Sequence, residues 1–204
     1  MNRILQILLL GGLLGMAVSS DAGDYDVVFS QVQRMLGQSL KNDEAGLRVS
    51  QRQLEGVPRP AQQNGKEARA LNQQGLDALQ RKDYPAAVVA FQQAQQANPA
   101  DVEIAANLGY ANLKLNLLKR AEHQLVYAIS LAPARTSSWY NLGEVYGAMD
   151  ESDKAVGAFA NSYRFSQNRA KTEAFIRQAL VAPENSEPTR AALRRALHLF
   201  GLSP

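Results

Sequence analysis

Three glycines stand 34 residues apart in this chain, Gly75, Gly109 and Gly143, and other positions keep the same interval. Ala87, Ala121 and Ala155 do so, as do Phe91, Leu125 and Phe159, and Pro99 returns as Pro133. A fixed period of roughly 20–50 residues means a stacked array, in which each unit buries its apolar face only against its neighbours. The unit here is a helix, a turn and a second helix. Glycine has no Cβ, so it lets the second helix approach the first closely, at a helix cost of about 1 kcal/mol. Pro99 and Pro133 follow helical runs, where a fixed φ and a missing N–H stop the helix. Tyr84-Pro85 places proline in a first turn, where it is tolerated. These features predict an all-α chain of stacked helical pairs, whose default function is to present a surface.

Set in frame, the third unit reads Trp139, Leu142, Gly143 and Tyr146 on its first helix, a W-x2-L-G-x2-Y pattern, then Ala155, Phe159 and Ser162 on its second. The second unit reads Leu108, Gly109, Ala121, Leu125, Ala128 and Pro133, and the first reads Leu71, Gly75, Ala87, Phe91, Ala94 and Pro99. This resembles the tetratricopeptide repeat (TPR) family. The resemblance covers three units without insertion, at 68–101, 102–135 and 136–169. It implies a right-handed superhelix whose first helices line a concave face. Trp139, in this frame, is a packing residue and not a ligand-stacking one.

The ends of the chain read differently. Asn2-Arg3 precedes an apolar run from Ile4 to Val18, broken only by Gln6, and Ala17-Val18-Ser19 is a small-x-small cleavage signal. The segment 1–22 therefore reads as an export signal, with an uncleaved anchor at 4–18 as the alternative. The expectation is an exported, periplasmic bacterial protein. The chain has no cysteine, which removes disulfides, thiol nucleophiles and lipid attachment at a signal cysteine. Residues 23–40 read as an amphipathic helix with a stripe of Val28, Phe29, Val32, Met35, Leu36 and Leu40. Residues 41–67, with Gly46, Gly56, Pro58, Pro60 and Gly65 among polar residues, read as a linker. Residues 170–204 read as a degenerate fourth helical pair that caps the array. Arg177 stands in it where the interval calls for glycine, and Leu193 falls in register with Phe159. From Arg164 onward, seven Lys/Arg face three Asp/Glu, so the net charge of +3 is concentrated in the tail. That excess is either a solvated surface or a contact for an acidic partner or anionic lipid.

Gln73, Asn107 and Asn141 occupy one equivalent position, just before or within reach of the repeated glycine. A side-chain amide carries donors and an acceptor and can pair with one peptide unit of an extended ligand. By resemblance, the inner face that holds them also holds Asn72, Tyr110, Lys114 and Tyr140. These seven residues are the candidate peptide-binding set. The alternative for the amides is a bond within their own unit. The carboxylate clamp of other TPR proteins needs Lys or Arg where this chain has Asn72, Ser137 and Asn141. His123 and His198 are the only histidines, and neither has a spaced partner for metal or triad chemistry. No phosphate loop or nucleotide fingerprint occurs. The reading is thus a scaffold or adaptor for a protein or extended peptide in cell-envelope assembly or secretion. It is not an enzyme and calls for no cofactor, metal or nucleic acid. Membrane contact would come only through the signal segment or the basic tail. The rival is a structural envelope protein that self-associates through the 24–40 helix. The sequence leaves the oligomeric state open.

Overall fold

The computed structural model describes residues 22–203 of the chain. The export-signal reading of 1–22 therefore lies, but for Ala22, outside the described residues. Within them there are ten helices and no strand: α1 (Ala22–Leu40), α2 (Glu44–Glu55), α3 (Gly65–Gln80), α4 (Tyr84–Ala97), α5 (Val102–Lys114), α6 (Leu118–Leu131), α7 (Thr136–Ala148), α8 (Ser152–Arg164), α9 (Arg169–Val181) and α10 (Glu187–His198).

Helices α3–α4, α5–α6 and α7–α8 form three tight pairs. The first helix of each later pair lies on the second helix of the one before it. The repeated glycines make the tightness possible. A Cβ built on Gly75 would stand 2.4 Å from the Phe91 ring, one on Gly109 2.7 Å from Leu125, and one on Gly143 2.5 Å from Phe159. Trp139 is fully buried, and its indole N–H donates to the Pro133 carbonyl at 2.7 Å. Within the three pairs, capping carboxylates start α4 and α5: Asp83 accepts from the Ala86 N–H, and Asp101 from those of Glu103 and Ile104.

The turn inside each pair is built one way. Lys82, Asn116 and Asp150 have φ of 59, 57 and 60°. The next N–H, of Asp83, Leu117 or Glu151, reaches back to the carbonyl of Ala78, Asn112 or Tyr146 at 2.8–2.9 Å. This is the left-handed helix stop in which an N–H bonds the carbonyl five residues earlier. Asn42, at φ 54°, makes the same turn between α1 and α2, with the Asp43 N–H bonded to Gln38.

That turn corrects the linker expectation for 41–67. Residues 44–55 are helical, capped by Asp43 accepting from the Gly46 N–H at 2.9 Å, and bury Leu47, Ser50 and Leu54. Gly46 sits in the first turn, where a glycine does not end a helix. Only residues 56–64 connect α2 to α3. Gln62 and Gln63 tie that stretch to Asn98 and Ala100 at the end of α4.

The α1–α2 hairpin does not precede the array in space. It docks across the second helices of the second and third pairs, α6 and α8. Val28, Val32, Met35 and Leu36 are buried in one core with Val126, Ile129, Val156 and Tyr146. Gly157 on α8 admits the α1 backbone: a Cβ there would stand 2.5 Å from the Leu36 carbonyl oxygen. Gln33 donates to the Tyr146 hydroxyl at 2.7 Å, joining α1 to α7. The stripe proposed for self-association is thus spent inside the chain, and the rival reading loses its interface.

The tail also departs from the expected fourth pair. Without a glycine at Arg177, α9 and α10 do not embrace as the other pairs do. Instead α10 packs on both α8 and α7, the place that α5 and α7 take on their preceding pairs. Leu193, Ala196 and Leu197 are buried there, and Thr189 rests on Gly147. Helix α9 is set to the side, between α8, α10 and the inner surface of α7. No helix among the described residues is long and apolar enough to cross a membrane.

Candidate functional site

The inner face of α3, α5 and α7 carries the residues singled out from the sequence, and it does not treat them alike. Asn107 donates its amide to the Asn72 oxygen at 3.1 Å, so these two form a lateral pair from the first unit to the second. Gln73 is exposed but bonds along its own helix to the Asp77 carboxylate at 2.8 Å. Asn141 is half-buried and makes no hydrogen bond among the described residues. The three equivalent amides thus have three different engagements, and only Asn141 holds both of its polar functions open.

Tyr110 is half-buried on α5, and the Lys114 ammonium lies 5.2 Å from its ring centre. At that separation a cation is held by the ring's negative face. Tyr140 is different. It is only 7% exposed, with its ring 5.3 Å from Phe159 and edge-on to Phe175 at 4.7 Å. It cannot supply contact area to a ligand, because α9 lies over it. This corrects its place in the candidate set; Phe175, 52% exposed, is the aromatic ring that faces outward there. Nothing in the sequence sets Phe175 apart, because Ile176, Ala179 and Leu180 beside it share its apolar helical spacing.

Glu144 stands one turn beyond Tyr140 on the same helix and is half-buried. Burial pushes its carboxyl above the usual range, Lys114 opposes that, and Glu184, in the turn after α9, adds to it. Burial and the same two carboxylates push the Tyr140 hydroxyl strongly upward, so it stays protonated. At the third-unit end of the concave face, Glu144 thus feels one ammonium, that of Lys114, and a second carboxylate, that of Glu184.

The remaining candidates lie elsewhere. His123 is on the outer side, its ring 4.2 Å from Tyr25 of α1, and burial lowers its pKa. No group of three His, Cys, Asp or Glu among the described residues is placed to hold a metal ion. The basic tail is neutralised in part. Arg164 meets Glu44, Arg177 meets Glu173, Arg190 and Arg194 meet Glu187, and Arg195 meets Asp153. Exposed pairs of this kind contribute little to stability, and Arg169 and Lys171 meet no carboxylate among the described residues.

No family model matches the chain. A curated relative, the tetratricopeptide repeat domain-containing protein PYG7, chloroplastic, of Arabidopsis thaliana, is 32% identical over 105 residues, which is 50% of this chain and 35% of that protein. The chain thus spans about a third of that relative's length. Solved structures share the fold at low identity. The first TPR of Spaghetti (RPAP3) bound to HSP90 peptide SRMEEVD has a TM-score of 0.53 and 18% identity, covering 60% of this chain and 100% of that one. The Sgt2 TPR domain from Aspergillus fumigatus has a TM-score of 0.51 and 19% identity over 71% and 85% of the two chains. MamA has a TM-score of 0.51 and 18% identity over 87% and 92%. The fold is that of a TPR solenoid, and the PYG7 match supports the same repeat family.

Proposed function

We propose that this chain, a TPR solenoid, is a protein–protein interaction adaptor that holds an extended segment of a partner along its concave face. The observation that carries the reading is the row of amides, the Asn72–Asn107 pair and the open Asn141, beside the half-buried Tyr110. An amide row pairs with peptide units irrespective of side chains, and a tyrosine adds contact area at low entropic cost. The inner face lacks the cations of a carboxylate clamp, so an acidic peptide such as the SRMEEVD bound by the RPAP3 domain is not the expected occupant.

Photo-crosslinking from position 110 in living cells names the partner segment, which is then titrated. Replacing Asn107 and Asn141 together by Ala removes about two net hydrogen bonds, so affinity is expected to fall roughly 5- to 150-fold. The thermal melt should stay near that of the parent. Parental affinity with a parental melt would move the site off the concave face. A collapsed melt would assign the asparagines to the solenoid itself.

We place this adaptor in the periplasm, in cell-envelope assembly or secretion, on the pattern of Arg3, the Ile4–Val18 run and Ala17-x-Ser19. The mature N-terminus is then expected between Ser20 and Gly23. Sequencing that finds Met1 intact in membrane fractions would replace export with anchoring at 4–18.

A further inference from the structure

Helix α9 is apolar on two sides. Ile176 and Ala179 face the core, 1% and 7% exposed. Phe175 and Val181 face solvent at 52% and 81%, together with Ala174 and Gln178. The Glu173–Arg177 pair lies between these two faces. Phe175 stands edge-on to Tyr140, so the exposed side of α9 forms a wall at the third-unit end of the concave face. Just past that wall is Glu184, close enough to Glu144 and Tyr140 for its charge to be felt by both.

Lys114 is the cation that offsets Glu144, and it is already held over the Tyr110 ring. The nearby arginines of α9 and α10 are engaged with Glu173, Glu187 and Asp153. Glu144, one turn from the Tyr140 ring that Phe175 touches, and the exposed Glu184, in the turn that follows α9, make no ion pair among the described residues. An anionic membrane surface would be repelled by Glu144 and Glu184, whereas a cationic side chain would be drawn in.

We propose that this end of the groove recognises a partner segment in which an aliphatic or aromatic side chain is followed closely by lysine or arginine. The apolar side chain lies on Phe175, and the cation joins Glu144 and Glu184. This rests on the concave-face reading above and adds side-chain selectivity to a backbone-reading amide row.

The test uses an array of 12-residue peptides, serine and alanine throughout except for a central Phe-Arg, Phe-Glu, Ser-Arg or Ser-Glu pair. The array is probed with the fluorescently labelled protein and three variants. The parent is expected to bind Phe-Arg about tenfold more tightly than Phe-Glu or Ser-Arg, the size of one charge-assisted bond or one buried ring contact. Phe175→Ser should erase the preference for Phe. Glu144→Gln with Glu184→Gln should erase the preference for Arg, weakening Phe-Arg and relieving the repulsion of Phe-Glu. Asn107→Ala with Asn141→Ala should weaken all four peptides alike. Equal binding of Phe-Arg and Phe-Glu by the parent would overturn the proposal alone. So would preferences that survive both the serine and the glutamine variants. Binding to none of the peptides would overturn it together with the concave-face reading. The glutamine variants do not alter the packing of Phe175, so the charge arm stands even if Phe175→Ser disturbs α9.

Discussion

Two glycines of this chain show how a residue can be legible or opaque for a purely physical reason. Gly143 could be read from the sequence because its partner, Phe159, recurs with it in every unit as Phe91 or Leu125. Gly157 could not, because what lies on it is the α1 backbone, which packs on only one of the three second helices in this way. The two kinds of site also differ in what an added methyl does. At Gly157 it meets a carbonyl oxygen 2.5 Å away, and backbone does not give as a side chain does. Gly157→Ala is expected to cost about 1–3 kcal/mol through displacement of α1. Gly37, on α1 itself, has nothing within 4 Å of its Cβ position. Gly37→Ala is expected to stabilise by about 0.5–1 kcal/mol, since only helix propensity changes. Denaturant melts of the two variants check both signs, and equal effects would contradict the α1–α8 contact. Lys82, Asn116 and Asp150 belong to the same lesson. Their shared left-handed φ was hidden because the residue type changes at each copy. In the candidate site, the equivalence of Gln73, Asn107 and Asn141 is legible from register, and the place of Tyr110 follows from the resemblance. The burial of Tyr140 is not legible, because it depends on where α9 comes to rest.

At the scale of elements, what escaped sequence reading was helix α2. Its turn from α1 repeats the geometry of the units, but the pair cannot close as they do. Counting from that turn, buried Met35 stands where the units have their glycine. With that signature missing, the glycines and prolines around α2 dominated the pattern. The tail shows the converse. Interval counting assigned Leu193 the place of Phe159, yet α10 took the capping place instead, because Arg177 forbids the close pair that the count assumes. A chain ended at Pro183 keeps α9 and loses α10. It is expected to lose the burial of Leu193 and Leu197, at least about 3 kcal/mol together, and to expose the faces of α7 and α8. Size-exclusion chromatography with a thermal melt reads the outcome. A truncated chain that stays monodisperse and melts like the parent would show that α10 is an appendage and not the cap.

Across the whole molecule, both ends of the described chain meet at the third pair. Arg164, at the end of α8, bonds Glu44 at 2.8 Å and Asn42 at 2.9 Å, and its guanidinium lies 5.0 Å from the Phe200 ring centre. Asn42 in turn donates to the Leu199 carbonyl. The second and third pairs are covered by the hairpin and by α10, while the first pair has neither. The fully covered side chains of the first pair are mostly small: Phe91 packs among Ala78, Ala87 and Val88, with Ala68, Ala94 and Ala97 nearby, while Leu71, Leu76 and Leu79 are only half-buried. Stability in a stacked array is local to each unit and its neighbours. Hydrogen exchange is therefore expected to be fastest in α3 and α4 and slowest in α7 and α8, and uniform protection would refute that ordering. The docking of α1–α2 has a further consequence in time. This hairpin is made first but rests on the helices of the second and third pairs. About 110 residues must be synthesised after it before α8 is complete, some 5–20 seconds at ordinary rates of chain growth. Through that interval Val28, Val32, Met35 and Leu36 lack the part of their core that α8 supplies, and until α6 is made only α2 is at hand to cover them. The nascent chain must carry this half-covered apolar helix past its own first repeats, so misassociation of the unfinished chain is expected to begin there.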